Sequence, residues 1–184
     1  QGLSIYSHNQ LYGVWKVVER DNYPDTSRSL RLGLHTKSHS AFLFSASDIS
    51  IWTTAKIEEH PFLAKIGPDI LDSKLTWRDI ASRLLEPRFR RRQLASLYLD
   101  QHFLAGVGNY LRSEILFFAK IDPRQTPESL STKQRNGLAR ATLSVSTRSY
   151  KTGGVTNKPL WFRAALKAGR SKESARFAVF EQDG

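Results

Sequence analysis

The sequence predicts an α+β fold in two parts, a partial antiparallel β-sandwich followed by a mostly helical half. Three features predict it: alternating apolar residues in the first segment, a proline- and glycine-rich break after His60, and two capped stretches of helical periodicity beyond Thr76. From Leu3 to about Ser47, Leu30, Leu32 and Leu34 alternate with Arg31, Gly33 and His35, and Trp15, Val17, Phe42 and Phe44 sit in runs of β-forming residues. Turn-like breaks at Asp21 to Asp25 and at Thr36 to Ser40 separate these strands. Pro61, Gly67 and Pro68 suit neither helix nor strand, so a linker is expected at 61–72, between a β part at 1–60 and a helical part at 73–184. In the helical part, Trp77, Ile80, Ala81 and Leu84 share one face behind the capping pair Thr76 and Asp79. Leu138, Ala141, Thr142 and Val145 do the same behind Ser131 and Gln134. Arg176 to Phe180 returns to alternation and predicts a final strand.

Composition narrows the function. Of 184 residues 40% are hydrophobic, including 10 Phe, 6 Tyr and 4 Trp, enough for a sizeable core and unlike a disordered chain. Lys and Arg total 28 against 17 Asp and Glu, a net charge of +11 that favours a polyanionic partner, nucleic acid first, though a ribosome-bound or merely soluble basic protein has the same balance. With no Cys there is no disulfide, thiol nucleophile or cysteine zinc site. Apolar runs such as Ala41 to Phe44 are too short to span a bilayer, so neither membrane partner nor membrane location is expected. His35 and His39 flank a turn rather than lying on a helix, and no metal site is expected.

The densest signal runs from Arg88 through Gly106-Val107-Gly108-Asn109 to Leu116. It reads as helix, glycine turn, helix, with Leu94, Leu97 and Tyr98 on one stripe and Leu111, Ile115 and Phe118 on the next. Asn109 then stands where unpaired N–H groups and the positive end of the helix dipole face outward, a place to hold a phosphate. A Gly-x-Gly-Asn sequence is equally a plain packing turn with an N-cap.

The whole run resembles the helix-two-turn-helix motif of the formamidopyrimidine/endonuclease VIII family of DNA glycosylases and AP lyases. The resemblance implies that Gly108 and Asn109 grip phosphates beside a lesion and that Glu114 lies near the catalytic pocket. Tyr6-Ser7-His8-Asn9-Gln10-Leu11-Tyr12-Gly13-Val14-Trp15 is similar to the endonuclease VIII branch in particular, where a Gln-Leu-Tyr triad fills the gap left by an extruded base. On that likeness Leu11 is an apolar wedge, Gln10 an amide for the widowed base and Tyr12 a stacking ring, against the plainer reading of a hairpin tip. Agreement continues through His60-Pro61-Phe62-Leu63, Gly67-Pro68-Asp69 and the loop Tyr150 to Asn157, where the resemblance adds Asn157 to the DNA-binding set against the plainer reading of a solvated loop; Leu160 to Ser174 is poorly matched. Arg88 and Arg91, in a cluster with Arg90 and Arg92, are assigned to the DNA backbone, against a solvated helix end.

Gln1-Gly2 is not the Pro-Glu start that supplies the family's nucleophilic amine and its glutamate, so no catalytic residue is assigned and the chain is expected to be a fragment truncated at both ends. The resemblance also implies a four-cysteine zinc finger in the intact protein, beyond Gly184, and hence zinc there but no cofactor in this chain. The implied partner is double-stranded DNA with an oxidised base or an abasic site, met by a monomer in the bacterial cytoplasm, and the implied activity of the intact protein is removal of oxidised pyrimidines. Two alternatives remain: a binding module for abasic or distorted DNA without chemistry, and a ribosomal-type RNA-binding protein.

Overall fold

The computed structural model describes residues 2–10 and 12–182, and these form two compact units, Gln1–Ala64 and Lys65–Gly184. The chain is α+β, as its sequence predicts.

The first unit holds five strands in two antiparallel sheets. Strand β1 (Leu3–His8) pairs with β5 (Asp48–Thr53); β2 (Val14–Glu19), β4 (His39–Phe44) and β3 (Leu30–His35) form the second sheet in the order β2-β4-β3. The central strand β4 takes the burial, because it has a neighbour on both edges: Phe42, Leu43 and Phe44 are all in the core, and the buried Ser40 hydroxyl meets His35 Nδ1 at 2.9 Å. Strand β3 departs from the alternation read in the sequence. A register shift between Leu30 and Leu32 breaks the two-residue period, and Leu30 and Leu34 stay exposed. Beyond β5, His60 stacks on Tyr6 at 3.8 Å between ring centroids and meets Trp52 edge-on at 5.3 Å, which ties the start of the Pro-rich stretch to the β1-β5 sheet.

The second unit is helical: α1 (Trp77–Leu84), the single turn α2 (Leu94–Leu97), α3 (Asn109–Ala119), α4 (Thr132–Lys151), α5 (Pro159–Lys167) and the short α6 (Lys172–Ala175). Both capping pairs form as complete boxes, Thr76 with Asp79 and Ser131 with Gln134, so two N–H groups at each helix start are satisfied locally. The inner stripe of α4 contains Leu138, Thr142 and Val145; Ala139 is buried where Ala141 was expected, and Ala141 is half-buried. Helices α1, α3 and α4 pack around Ile80, Leu84, Leu97, Leu111, Ile115 and Leu138. At its centre the fully buried Tyr98 hydroxyl lies 2.8 Å from Thr142 Oγ1. That Thr hydroxyl donates to the Leu138 carbonyl, so Tyr98 is the donor, and burial pushes its phenol well above the usual range.

The segment after Lys65 belongs to this unit. Gly67 N–H donates to the Gln101 carbonyl at 2.8 Å, Ile70 N–H donates to the Ala105 carbonyl, and a Cβ on Gly67 would stand 2.7 Å from the carbonyl oxygens of His102 and Phe103. Close backbone approach is what requires glycine here.

No strand forms at Arg176 to Phe180. Those residues bend, because three of their N–H groups turn inward to one carboxylate instead of lying along a ladder. Replacing Ser131 by Ala removes one half of a capping box on the longest helix and should cost about 1 kcal/mol in urea unfolding. A smaller loss than for an exposed alanine substitution elsewhere on α4 would mean that the box carries no weight.

Candidate nucleic-acid interface

The turn before α3 is built by its own residues. Gly106 sits at φ +87°, a left-handed conformation that a side chain resists, and the Gln101 amide laces the loop from inside: its oxygen accepts from Gly106 N–H at 2.9 Å and its nitrogen donates to the Val107 carbonyl at 2.9 Å. Gly108 is the N-cap, extended at φ −115°, with no side-chain cap and open space where a Cβ would be. Nothing inside the protein demands glycine at that position, which leaves room for an external group to come close to the backbone. The N–H groups of Gly108, Asn109, Tyr110 and Leu111 have no acceptor among the described residues, so the positive end of α3 is bare.

Asn109 is the first residue of the helix rather than its cap. It is exposed, and its Oδ1 accepts from Arg112 Nη2 at 2.6 Å. Arg112 therefore adds a cation one turn along the same face, a residue the sequence reading passed over; its position three after Asn109 was the available signal. The turn and the loop after α4 meet at a cavity of about 510 Å³ whose walls include Gly106, Tyr110, Ser149, Tyr150, Gly153 and Gly154. The Tyr110 hydroxyl lies 3.1 Å from Ser149 Oγ across it.

Glu114, in the second turn of α3, is fully buried with its carboxylate saturated. Oε2 accepts from Thr156 Oγ1 at 2.7 Å and Ala178 N–H at 2.8 Å; Oε1 accepts from the N–H groups of Val179 at 2.7 Å and Phe180 at 2.9 Å. Four donors, three of them consecutive amides, make the carboxylate a structural anchor. Burial and the opposing pull of Glu114 act on the Arg148 guanidinium, whose pKa burial lowers on balance, and its Nε donates to the Thr156 carbonyl at 2.7 Å.

Asn157, assigned from resemblance to the DNA-binding set, is 6% exposed, and its amide is used internally. Its nitrogen donates to the carbonyls of Ala175 and Phe177 and its oxygen accepts from Lys158 N–H. The side chain fastens the loop to the 175–177 segment, and any external contact falls to the loop around it.

Arg88 and Arg91 occupy turns between α1 and α2 rather than a helix. Each arginine of the cluster has a carboxylate: Arg88 with Glu86 at 2.9 Å, Arg90 and Arg91 with Glu128 at 3.8 and 3.5 Å, and Arg92 with Asp100. Arg88 also lies 4.5 Å from the Phe89 ring centroid. Burial pushes the Asp100 carboxyl up, but Arg92 and the His102 N–H outweigh it and hold its pKa below the usual value. The Arg91 side chain is 74% exposed, and a solvated pair of this kind is weak enough to be exchanged for a phosphate.

In the first unit, Gln10 and Tyr12 lie on the loop from β1 to β2, and Leu11 lies outside the described residues. This loop is no hairpin tip: β1 and β2 belong to different sheets, so it crosses between them. It is tight, with Gly13 N–H donating to the Asn9 carbonyl at 2.7 Å and a Gly13 Cβ excluded by Asn9 Cα at 2.5 Å. Gln10, at φ +47°, and Tyr12, 69% exposed, project into solvent. The chain has no cysteine, and among the described residues no three of His, Asp and Glu gather.

The formamidopyrimidine-DNA glycosylase H2TH domain family matches residues 58–159. Endonuclease 8 of Salmonella arizonae is 45% identical over 183 residues, all of this chain and 66% of that protein, and Endonuclease 8 of Salmonella enteritidis PT4 is 44% identical over the same span. The chain thus spans just under two thirds of these relatives. Among solved structures, a complex of Lactococcus lactis Fpg with abasic-site DNA superposes with a TM-score of 0.67 at 18% identity, over 83% of this chain and 55% of that one. A second, non-covalent complex of the same enzyme with such DNA gives 0.68 at 16% identity over 91% and 61%, a likeness of fold.

Changing Glu114 to Gln keeps the shape but turns one acceptor into a donor facing buried N–H groups, and should cost about 3 kcal/mol with faster hydrogen exchange at residues 178–180. Unchanged exchange there would deny the anchor its role. Because the folded Asp100 has a lowered pKa, its stabilisation is present above the ordinary value and is lost as pH falls through the lowered one. The deficit of an Asp100→Asn variant should therefore shrink below about pH 4 in a series of urea titrations, and a constant deficit would contradict the pairing.

Proposed function

The chain belongs to the formamidopyrimidine/endonuclease VIII family of DNA glycosylases, and from that membership we propose that it is the damage-holding part of a base-excision glycosylase and AP lyase acting on oxidised pyrimidines. Double-stranded DNA with an oxidised base or an abasic site is its partner, in the bacterial cytoplasm. The observation that carries the reading is the bare start of α3: four unpaired N–H groups, the exposed Asn109 amide and the Arg112 guanidinium on one face, beside a glycine with open space around it. That combination suits a phosphodiester oxygen, since directed donors and fixed positive potential are already in place before binding.

The remaining assignments follow the same division of labour. Arg88 and Arg91 trade carboxylates for phosphates at the rim of the footprint. Gln10 and Tyr12 flank the wedge assigned to Leu11, which enters the stack only when a base is out. In this division the residues of the chain hold and distort DNA, and the amine and carboxylate that break the glycosidic bond are not among them. Glu114 is occupied as an anchor, and no lysine lies in an ion pair with a carboxylate among the described residues. Binding without efficient base removal is the consequence.

Fluorescence anisotropy with an abasic duplex tests the carrier observation. Asn109→Ala should weaken binding by about 1–3 kcal/mol while the fold is kept, and affinity should fall steeply with salt. Equal affinity for the folded variant and the parent would remove Asn109 from the interface. Borohydride trapping tests the chemistry: capture on an abasic duplex should be slow and insensitive to any single lysine substitution. Rapid capture abolished by one change would place a nucleophile in the chain.

A further inference from the structure

Between Ser129 and Lys172 every ionisable side chain that carries charge at neutral pH is Lys or Arg, with no Asp or Glu in the segment. None of these cations forms an ion pair among the described residues, in contrast to the arginines at 88–92. Part of this unneutralised charge rims a groove of about 570 Å³ between α1 and α4, lined by Trp77, Leu143, Ser144, Thr147 and, on its edges, Arg140, Arg148 and Lys151. Positions 140, 144, 147 and 151 form one stripe of α4, whereas the buried residues Thr142, Val145 and Ser149 form another. Ser149 and Tyr150 reach the cavity beside Gly106, so the groove opens on a different face of α4 from the phosphate site.

The floor is apolar and the rim cationic. Leu143 and the half-buried Trp77 ring form the base, and two guanidiniums lie close to that ring, Arg140 at 4.0 Å and Arg78 at 4.6 Å from its centroid. The nearby carboxylate of α1, Asp79, is engaged with Thr76 in the capping box. A phosphodiester backbone would meet the rim and leave the floor wet, because it has nothing apolar to bury. A peptide with an apolar side chain between carboxylates satisfies both.

We propose that the groove between α1 and α4 docks an acidic peptide segment of another protein, with an aromatic or branched apolar side chain seated on Trp77 and Leu143 and its flanking carboxylates on Arg140 and Lys151. The enzyme would then be held to a partner by one face of α4 while the turn before α3 remains free for DNA.

The test uses the full chain and a short labelled peptide of Asp residues around a central Phe, with a copy in which Gly replaces the Phe. The Phe peptide should bind, the Gly peptide should bind at least about tenfold more weakly, and R140E/S144E, two changes on the exposed stripe, should reduce Phe-peptide affinity by a similar factor. That double variant should lose less affinity for an abasic duplex than for the Phe peptide, because only the peptide touches the stripe. The proposal is overturned if the Phe peptide does not bind, if the Gly peptide binds equally well, or if the double variant binds the peptide as before. It is also overturned if the variant loses duplex affinity as much as peptide affinity, which would make the groove a DNA contact.

Discussion

The fully buried Glu114 carboxylate accepts hydrogen bonds from Thr156 and from three consecutive amides, Ala178 to Phe180, and the second unit is organised around it. An isolated carboxylate in that position would be strongly unfavourable, so the last described segment must fold over it and the loop after α4 must turn toward it. Because Glu114 lies on α3, the same bonds fix the helix whose bare N-terminus is the proposed phosphate site. Asn157 reinforces this closure by holding the carbonyls of Ala175 and Phe177. Rigidity in the buried middle of α3 leaves its exposed start preorganised, and a preorganised set of donors loses little on binding.

Charge is distributed less simply than the net excess suggests. The arginines at 88–92 are matched by Glu86, Glu128 and Asp100, while the stretch from Ser129 to Lys172 is acid-free. A paired arginine stays oriented and solvated until a phosphate replaces its partner, so the first group can sharpen position more than raw affinity. The acid-free stretch is the larger source of unbalanced positive potential, and only part of it faces the proposed phosphate site.

What could be read from the sequence was local. The boxes at Thr76 and Ser131 declare themselves within four residues, and the Gly-x-Gly-Asn turn carries its own conformational signal, so α1, α3 and α4 were legible. The misread parts depend on distant partners. Arg176 to Phe180 has the alternation of a strand, but its amides answer to a carboxylate 64 to 66 residues earlier. Leu30 alternates with Leu32 and Leu34 in sequence, and it loses their common face to a bulge set by pairing with β4. Asn157 carries a polar amide that suits a ligand, and only the fold shows it committed inward. Arg112 was hidden in plain view, its role visible only once Asn109 is the first residue of a helix.

The central claim is that DNA is gripped at the start of α3, and amide chemical-shift mapping of the chain during titration with an abasic duplex addresses it most directly. The amides of residues 106–112 should shift first and furthest, with those of Arg140 to Ser144 unmoved, since unpaired N–H groups respond strongly to a new acceptor. Shifts concentrated along the outer face of α4, with Gly108 and Asn109 unperturbed, would contradict it.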